Sequence, residues 1–115
     1  MNNFPDHQHR AARAGLLGRA AELRSRLERV RADLGRSREP LPRDSAEAAI
    51  ALENDEVLEA IESTAVRELG LIDAALERAE QGVYGLCTHC AAEIEAERLR
   101  AVPYAIHCRA CAPEN

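Results

Sequence analysis

A mostly α-helical fold is predicted for this chain: an antiparallel two-helix coiled-coil hairpin carrying a small C-terminal four-cysteine module. Three observations predict it. Apolar residues recur at alternating spacings of three and four along two long stretches, the signature of a helical seam. A proline- and glycine-bearing break separates the stretches. Two C-x-x-C pairs then follow within the last third of the chain. The composition agrees. Among 115 residues, Ala, Leu, Arg and Glu dominate, aromatics are 3% and Trp is absent, which excludes a large globular core.

The first series is Leu16, Ala20, Leu23, Leu27, Val30 and Leu34, and it predicts a helix from about Asp6 to about Leu34. Gly15 and Gly18 weaken its early turns. Gly35, Pro40 and Pro42 break it. "LPRDSAEAAI", 41 to 50, then reads as a new helix start, with Asp44 as N-cap and Glu47 three residues on, a capping-box-like pattern. The second series, Ile50, Asn54, Leu58, Ile61, Ala65, Leu69, Ile72, Leu76 and Ala79, predicts a helix from about Ser45 to Gln81, closed by Gly82. Each helix has one apolar stripe and needs a partner, so the two fold back antiparallel with the break, about 35–46, as the tip. The expected division is therefore 1–81 for the hairpin and 82–115 for the cysteine module.

Charge supports the pairing. All 15 cationic residues are Arg, concentrated between Arg10 and Arg38, whereas Asp44 to Gln81 holds eleven acids against Arg67 and Arg78. Two solvated helix faces that attract each other account for this; a nucleic-acid-binding stripe is the alternative. No apolar run approaches the roughly 20 residues of a membrane span, and "MNNFPDHQHR" has no signal-peptide core, so a cytoplasmic location is expected.

"CTHC" at 87–90 and "CRAC" at 108–111 form C-x2-C-x17-C-x2-C. Four cysteines in a reducing compartment point to metal or redox chemistry rather than disulfides. Two knuckles at this separation suit one tetrahedral Zn²⁺ held by Cys87, Cys90, Cys108 and Cys111. A thioredoxin-type redox pair would need a strand-helix-strand context that is missing. His89 and His107 lie beside the ligands; either could replace a cysteine, but surface or supporting positions fit better. Four protein ligands leave no open position for water or substrate, so the zinc is expected to be structural. It would carry the folding of a segment too short to hold itself by burial. The module is near neutral, with four acids against Arg98, Arg100 and Arg109, which argues against nucleic-acid reading. Tyr84 and Tyr104 are expected to pack over the knuckles. No nucleophile–base pair, phosphate-binding glycine loop or open metal site suggests an enzyme.

"GVYGLCTHCAAEIEAERLRAVPYAIHCRAC", 82 to 111, resembles the zinc finger of the DksA/TraR family. The shared elements are G-x-Y-G-x-C-x-x-C, Ile94, and R-L-x-A-x-P-x-A-x-x-C-x-x-C from Arg98 to Cys111, with Ala91 where Gly is usual. A long helical hairpin before the finger is also that family's arrangement. The resemblance implies a non-enzymatic transcription regulator that binds bacterial RNA polymerase directly, without sequence-specific DNA binding. Its coiled-coil tip would enter the secondary channel to modulate initiation. The family tip motif D-x-x-D-x-A falls on Asp44, Glu47 and Ala49, with Glu47 in place of the second Asp. Positions that are basic in members responding to ppGpp hold Leu71, Val102 and Ala112, implying action independent of ppGpp. Two other readings stand beside it: a zinc-finger coiled-coil adaptor that keeps the fold but binds another protein, for which Glu47 speaks, and a zinc-ribbon nucleic-acid binder.

Overall fold

The computed structural model describes residues 6–36 and 43–112, with side chains from residue 10 onward. Three helices appear in it: α1 (Asp6–Arg36), α2 (Ser45–Glu80) and the short α3 (Ala96–Ala101). Helix α1 has no proline between its ends and is built of strong helix formers. It runs through Gly15 and Gly18 and two residues past the expected stop, so that Gly35 lies inside it. Pro40 and Pro42, the other two residues expected to break the chain, lie outside the described residues. Among the described residues, no helix is long and apolar enough to cross a membrane.

The chain divides into two compact units, and each long helix contributes to both. One unit is residues 21–69, the distal pair of helices. Here Leu23, Leu27 and Val30 of α1 are buried with Ala65 of α2. The pairing is antiparallel: Leu23 and Arg26 lie beside residues 57–68, whereas Arg31 and Leu34 lie beside residues 52–62. Arg31 Nε donates to Glu62 Oε2 at 2.8 Å, joining the basic helix to the acidic one. The pair is well exposed and contributes about 0–1 kcal/mol.

The distal seam differs from the expected one. Ile50 is 58% exposed, Ile61 37% exposed, and Asn54 is also exposed. The inward series is instead Ala48, Ala51, Asp55, Leu58, Glu62 and Ala65, one residue later at three positions. It keeps the alternation of three and four, and it joins the expected series at Leu69, Ile72, Leu76 and Ala79. The reason is volume and charge. Alanines at 48, 51 and 65 let α2 approach the large Leu27, Val30 and Leu34 side chains. Glu62, at the seam edge, gains Arg31 as a partner.

The other unit comprises the start of α1, the end of α2 and the finger. Leu16, Ala20, Ile72 and Ala75 form its helical core; Tyr84, Cys87, Ile94, Leu99 and Cys108 form its finger core. The finger has one short helix and one isolated antiparallel bridge, Leu86 with Glu93. That is little regular structure for a folded segment, and it shifts attention to what else holds it.

Candidate metal centre and hairpin tip

The finger begins where α2 is stopped. Gly82 has φ +78, its N–H bonds to Ala79 O at 3.2 Å, and Val83 N–H reaches Arg78 O at 3.0 Å. This is a Schellman closure, which a side chain at the left-handed position would strain. The guanidinium of Arg78 then donates to Val83 O at 3.1 Å and Leu86 O at 2.6 Å. The last turn of α2 thus grips the segment that leads into Cys87.

Both C-x-x-C pairs sit in the same kind of turn. Ala91 N–H bonds to Cys87 O at 2.9 Å; Cys111 and Ala112 N–H bond to Cys108 O at 3.1 and 2.9 Å. The first turn is held in a small ribbon by Cys87 N–H to Ala92 O and Ile94 N–H to Gly85 O. The ribbon costs something: Ala91 has φ +64, where an L side chain other than Gly is disfavoured by roughly 1–2 kcal/mol. Thr88 ties the first turn to the approach of the second, its N–H and hydroxyl both donating to Ile106 O. Arg98 of α3 donates to His107 O at 2.8 Å, and Arg109 N–H reaches Glu95 Oε1 at 3.1 Å. Its own backbone N–H and that of Arg109 hold the Glu95 carboxyl below the usual carboxylate range. Tyr84 is buried, which raises its phenol pKa, and its hydroxyl donates to Pro103 O at 2.7 Å.

These ties bring Cys87, Cys90, Cys108 and Cys111 together, with all four Sγ atoms within 4.8 Å of one another. His89 and His107 are not members of the cluster. Cys90 Sγ and Cys108 Sγ are 3.7 Å apart. A tetrahedron with Zn–S of about 2.3 Å has edges of about 3.8 Å, so this donor set fits zinc in both chemistry and size. The thiols also show the strain of crowding. Burial pushes the Cys87 thiol up, but backbone N–H groups of Cys108, Cys90 and His89 outweigh it and bring it to about 5. Hydrogen bonding to Cys108 and Cys90, then burial, drives Cys111 up to about 12. Four thiolates this close together repel one another unless a cation lies between them.

At the other expected site, Asp44, Glu47 and Ala49 are all exposed. Asp44 Oδ1 accepts from Ala46 N–H at 2.8 Å and Glu47 N–H at 3.3 Å, and Asp44 O accepts from Ala48 N–H at 2.9 Å. Asp44 is the N-cap of α2, so its carboxylate is fixed at the helix start. Sequence reasoning did not find Arg78, Glu95 or Arg98 as braces of the finger. Their signal is weak: each is a charged residue within a helix or just before one, and its partners are mostly backbone groups that no spacing rule reveals.

The chain matches two family models, one described as DnaK suppressor protein-like, N-terminal domain, over residues 13–79, and one described as prokaryotic dksA/traR C4-type zinc finger, over residues 82–114. An uncharacterized protein of Aquifex aeolicus (strain VF5) is 37% identical over 73 residues, which is 64% of this chain and 50% of that protein. The match thus spans half the length of that curated relative. Among solved structures, that of transcription factor DksA2 from Pseudomonas aeruginosa is similar with a TM-score of 0.78 and 30% identity, covering 89% of this chain and 78% of that one.

Proposed function

The chain belongs to the DnaK suppressor protein-like, or DksA/TraR, family, and from that premise we propose that it is a non-enzymatic transcription regulator that binds bacterial RNA polymerase directly. The observation that carries this reading is the likeness to a transcription factor across both the helices and the finger, over 89% of the chain. Cys87, Cys90, Cys108 and Cys111 would hold one Zn²⁺. The metal supplies a structural tie with no open coordination position, so no reaction is assigned to it. The finger residues around it serve to present a fixed surface; Arg78 orients that surface on α2.

The tip enters the polymerase secondary channel in this reading. Asp44 carries its negative charge where a capped helix start cannot drift, and carboxylates suit the neighbourhood of a metal-dependent active site. Leu71, Val102 and Ala112 offer no cation to a polyphosphate, so the effect is independent of ppGpp. A cytoplasmic location follows from the partner.

The test is a pull-down with purified polymerase core, followed by run-off transcription with Asp44→Asn. Asn keeps the cap and loses the charge. We expect unchanged folding, retained polymerase binding and no transcriptional effect. If neither form binds polymerase, the reading fails. If both bind and regulate alike, the tip is only a helix start. Glu47 in the tip favours one other reading, an adaptor for a different protein, which co-purification from cell extract without polymerase subunits would support.

A further inference from the structure

Helix α2 carries a second stripe. Assigning Leu58 and Ala65 to d positions of the observed seam puts Ile50, Val57 and Thr64 at c, and Asn54, Ile61 and Glu68 at g. These six residues again alternate by four and three, so they form a continuous line on one flank of the helix. Its apolar members are open: Ile50 and Val57 are each 58% exposed and Ile61 37%. Between this line and α1 lies a groove of about 340 Å³, floored by Leu23 and Ala65 and edged by Arg26. The opposite flank has no such line, since Leu52 and Val66 are separated by Glu59.

We propose that this stripe is a self-association surface, on which α2 of a second copy packs antiparallel about a two-fold axis midway between Val57 and Ile61. The pattern is self-complementary in that geometry. Val57 of each copy meets Ile61 of the other, Asn54 meets Thr64, a polar pair that fixes register beside that apolar centre, and at each end Ile50 lies against Glu68. Charge points the same way. Along the solvent edge of the stripe, Glu53 and Arg67 lie at the same heptad position, two heptads apart, on either side of the axis. The two-fold places Arg67 of one copy near Glu53 of the other, twice. A parallel arrangement would instead set Glu53 against Glu53 and lose the match. The stripe spans about 28 Å of helix, shorter than a standard interface provides, so the dimer is a weak one that forms at high concentration.

Sedimentation equilibrium of the full-length, zinc-loaded protein over a concentration series tests this. The expected result is a monomer–dimer equilibrium. Val57→Asp, at an already exposed position, should weaken it by about tenfold or more with an unchanged circular dichroism spectrum. Arg67→Glu and Glu53→Arg should each weaken it several-fold, and the two together should restore it. Restoration by the double swap is the outcome a merely sticky surface would not produce. A protein that stays monomeric up to about 1 mM, whether or not it binds polymerase, would mean that the stripe is kept for another partner and would overturn the proposal. A dimer indifferent to Val57→Asp and to both charge swaps would overturn it as well.

Discussion

The finger and the distal pair of helices are held together by opposite means. In the distal unit the ordering is supplied by apolar burial along a repeating seam: Leu23, Leu27 and Val30 against Ala65 and its neighbours. Each layer is like the next, and no single hydrogen bond decides the structure. The finger has a five-residue core and a six-residue helix. Its form comes instead from particular bonds: Arg78 to two carbonyls, Tyr84 to Pro103, Arg98 to His107, and four sulfurs close enough to share one ion. Repetition tolerates errors of register, whereas a finger of single bonds has one arrangement or none.

The sharpest break of this contrast is Cys108→Ser. One ligand fewer should lower bound zinc from one per chain to none and unfold the finger, a loss of several kcal/mol. Metal analysis and the environment of Tyr84 report the loss. The far-ultraviolet helix signal should largely persist, because the seam residues of the distal unit are untouched. Full loss of helix would show that the two regions are one cooperative unit.

Leu23→Ala is the converse. Leu23 is 1% exposed, and its truncation should cost about 2–5 kcal/mol in urea unfolding. Zinc content should remain one per chain. A variant that loses metal as readily as Cys108→Ser would erase the distinction.

Smaller changes sharpen the picture. Ala91→Gly relieves a left-handed alanine and should stabilise the finger by about 1 kcal/mol, visible as slower zinc transfer to a chelator. At the bottom of the scale, Glu62→Gln should cost about 1 kcal/mol or less, and less still in high salt. A larger cost would mean that the Arg31 pair, rather than alanine packing, selects the distal register.

The contrast also explains what could be read from the amino acids alone. The clustering of the four cysteines was legible because thiolate chemistry admits few alternatives at that spacing, and Asp44 because an N-cap has a short list of candidates. The two long helices were legible from period. The distal seam was not, because α2 carries two overlapping stripes. Ile50, Asn54 and Ile61 look more like a core than Ala51, Asp55 and Glu62 do, yet the structure buries more of the latter. Only the shape of α1 opposite breaks the tie, and a linear pattern carries no information about it. The braces of the finger were illegible for a related reason: Arg78 and Arg98 address main-chain oxygens, which every residue possesses.

The antiparallel pairing has a consequence in time. Synthesis delivers Leu23 roughly forty residues before Ala65, its neighbour across the seam. At about 5–20 residues per second, the apolar edge of α1 waits for seconds with nothing to cover it. Its own turns offer little meanwhile, since most of a helix's stability comes from packing of its apolar face and Gly15 and Gly18 weaken it further. The nascent chain is thus most vulnerable to protease and to misassociation midway through its own translation, before the finger cysteines have left the ribosome. Pairing then starts near the tip, where Leu34 and Leu52 are closest along the chain, and zips away from it.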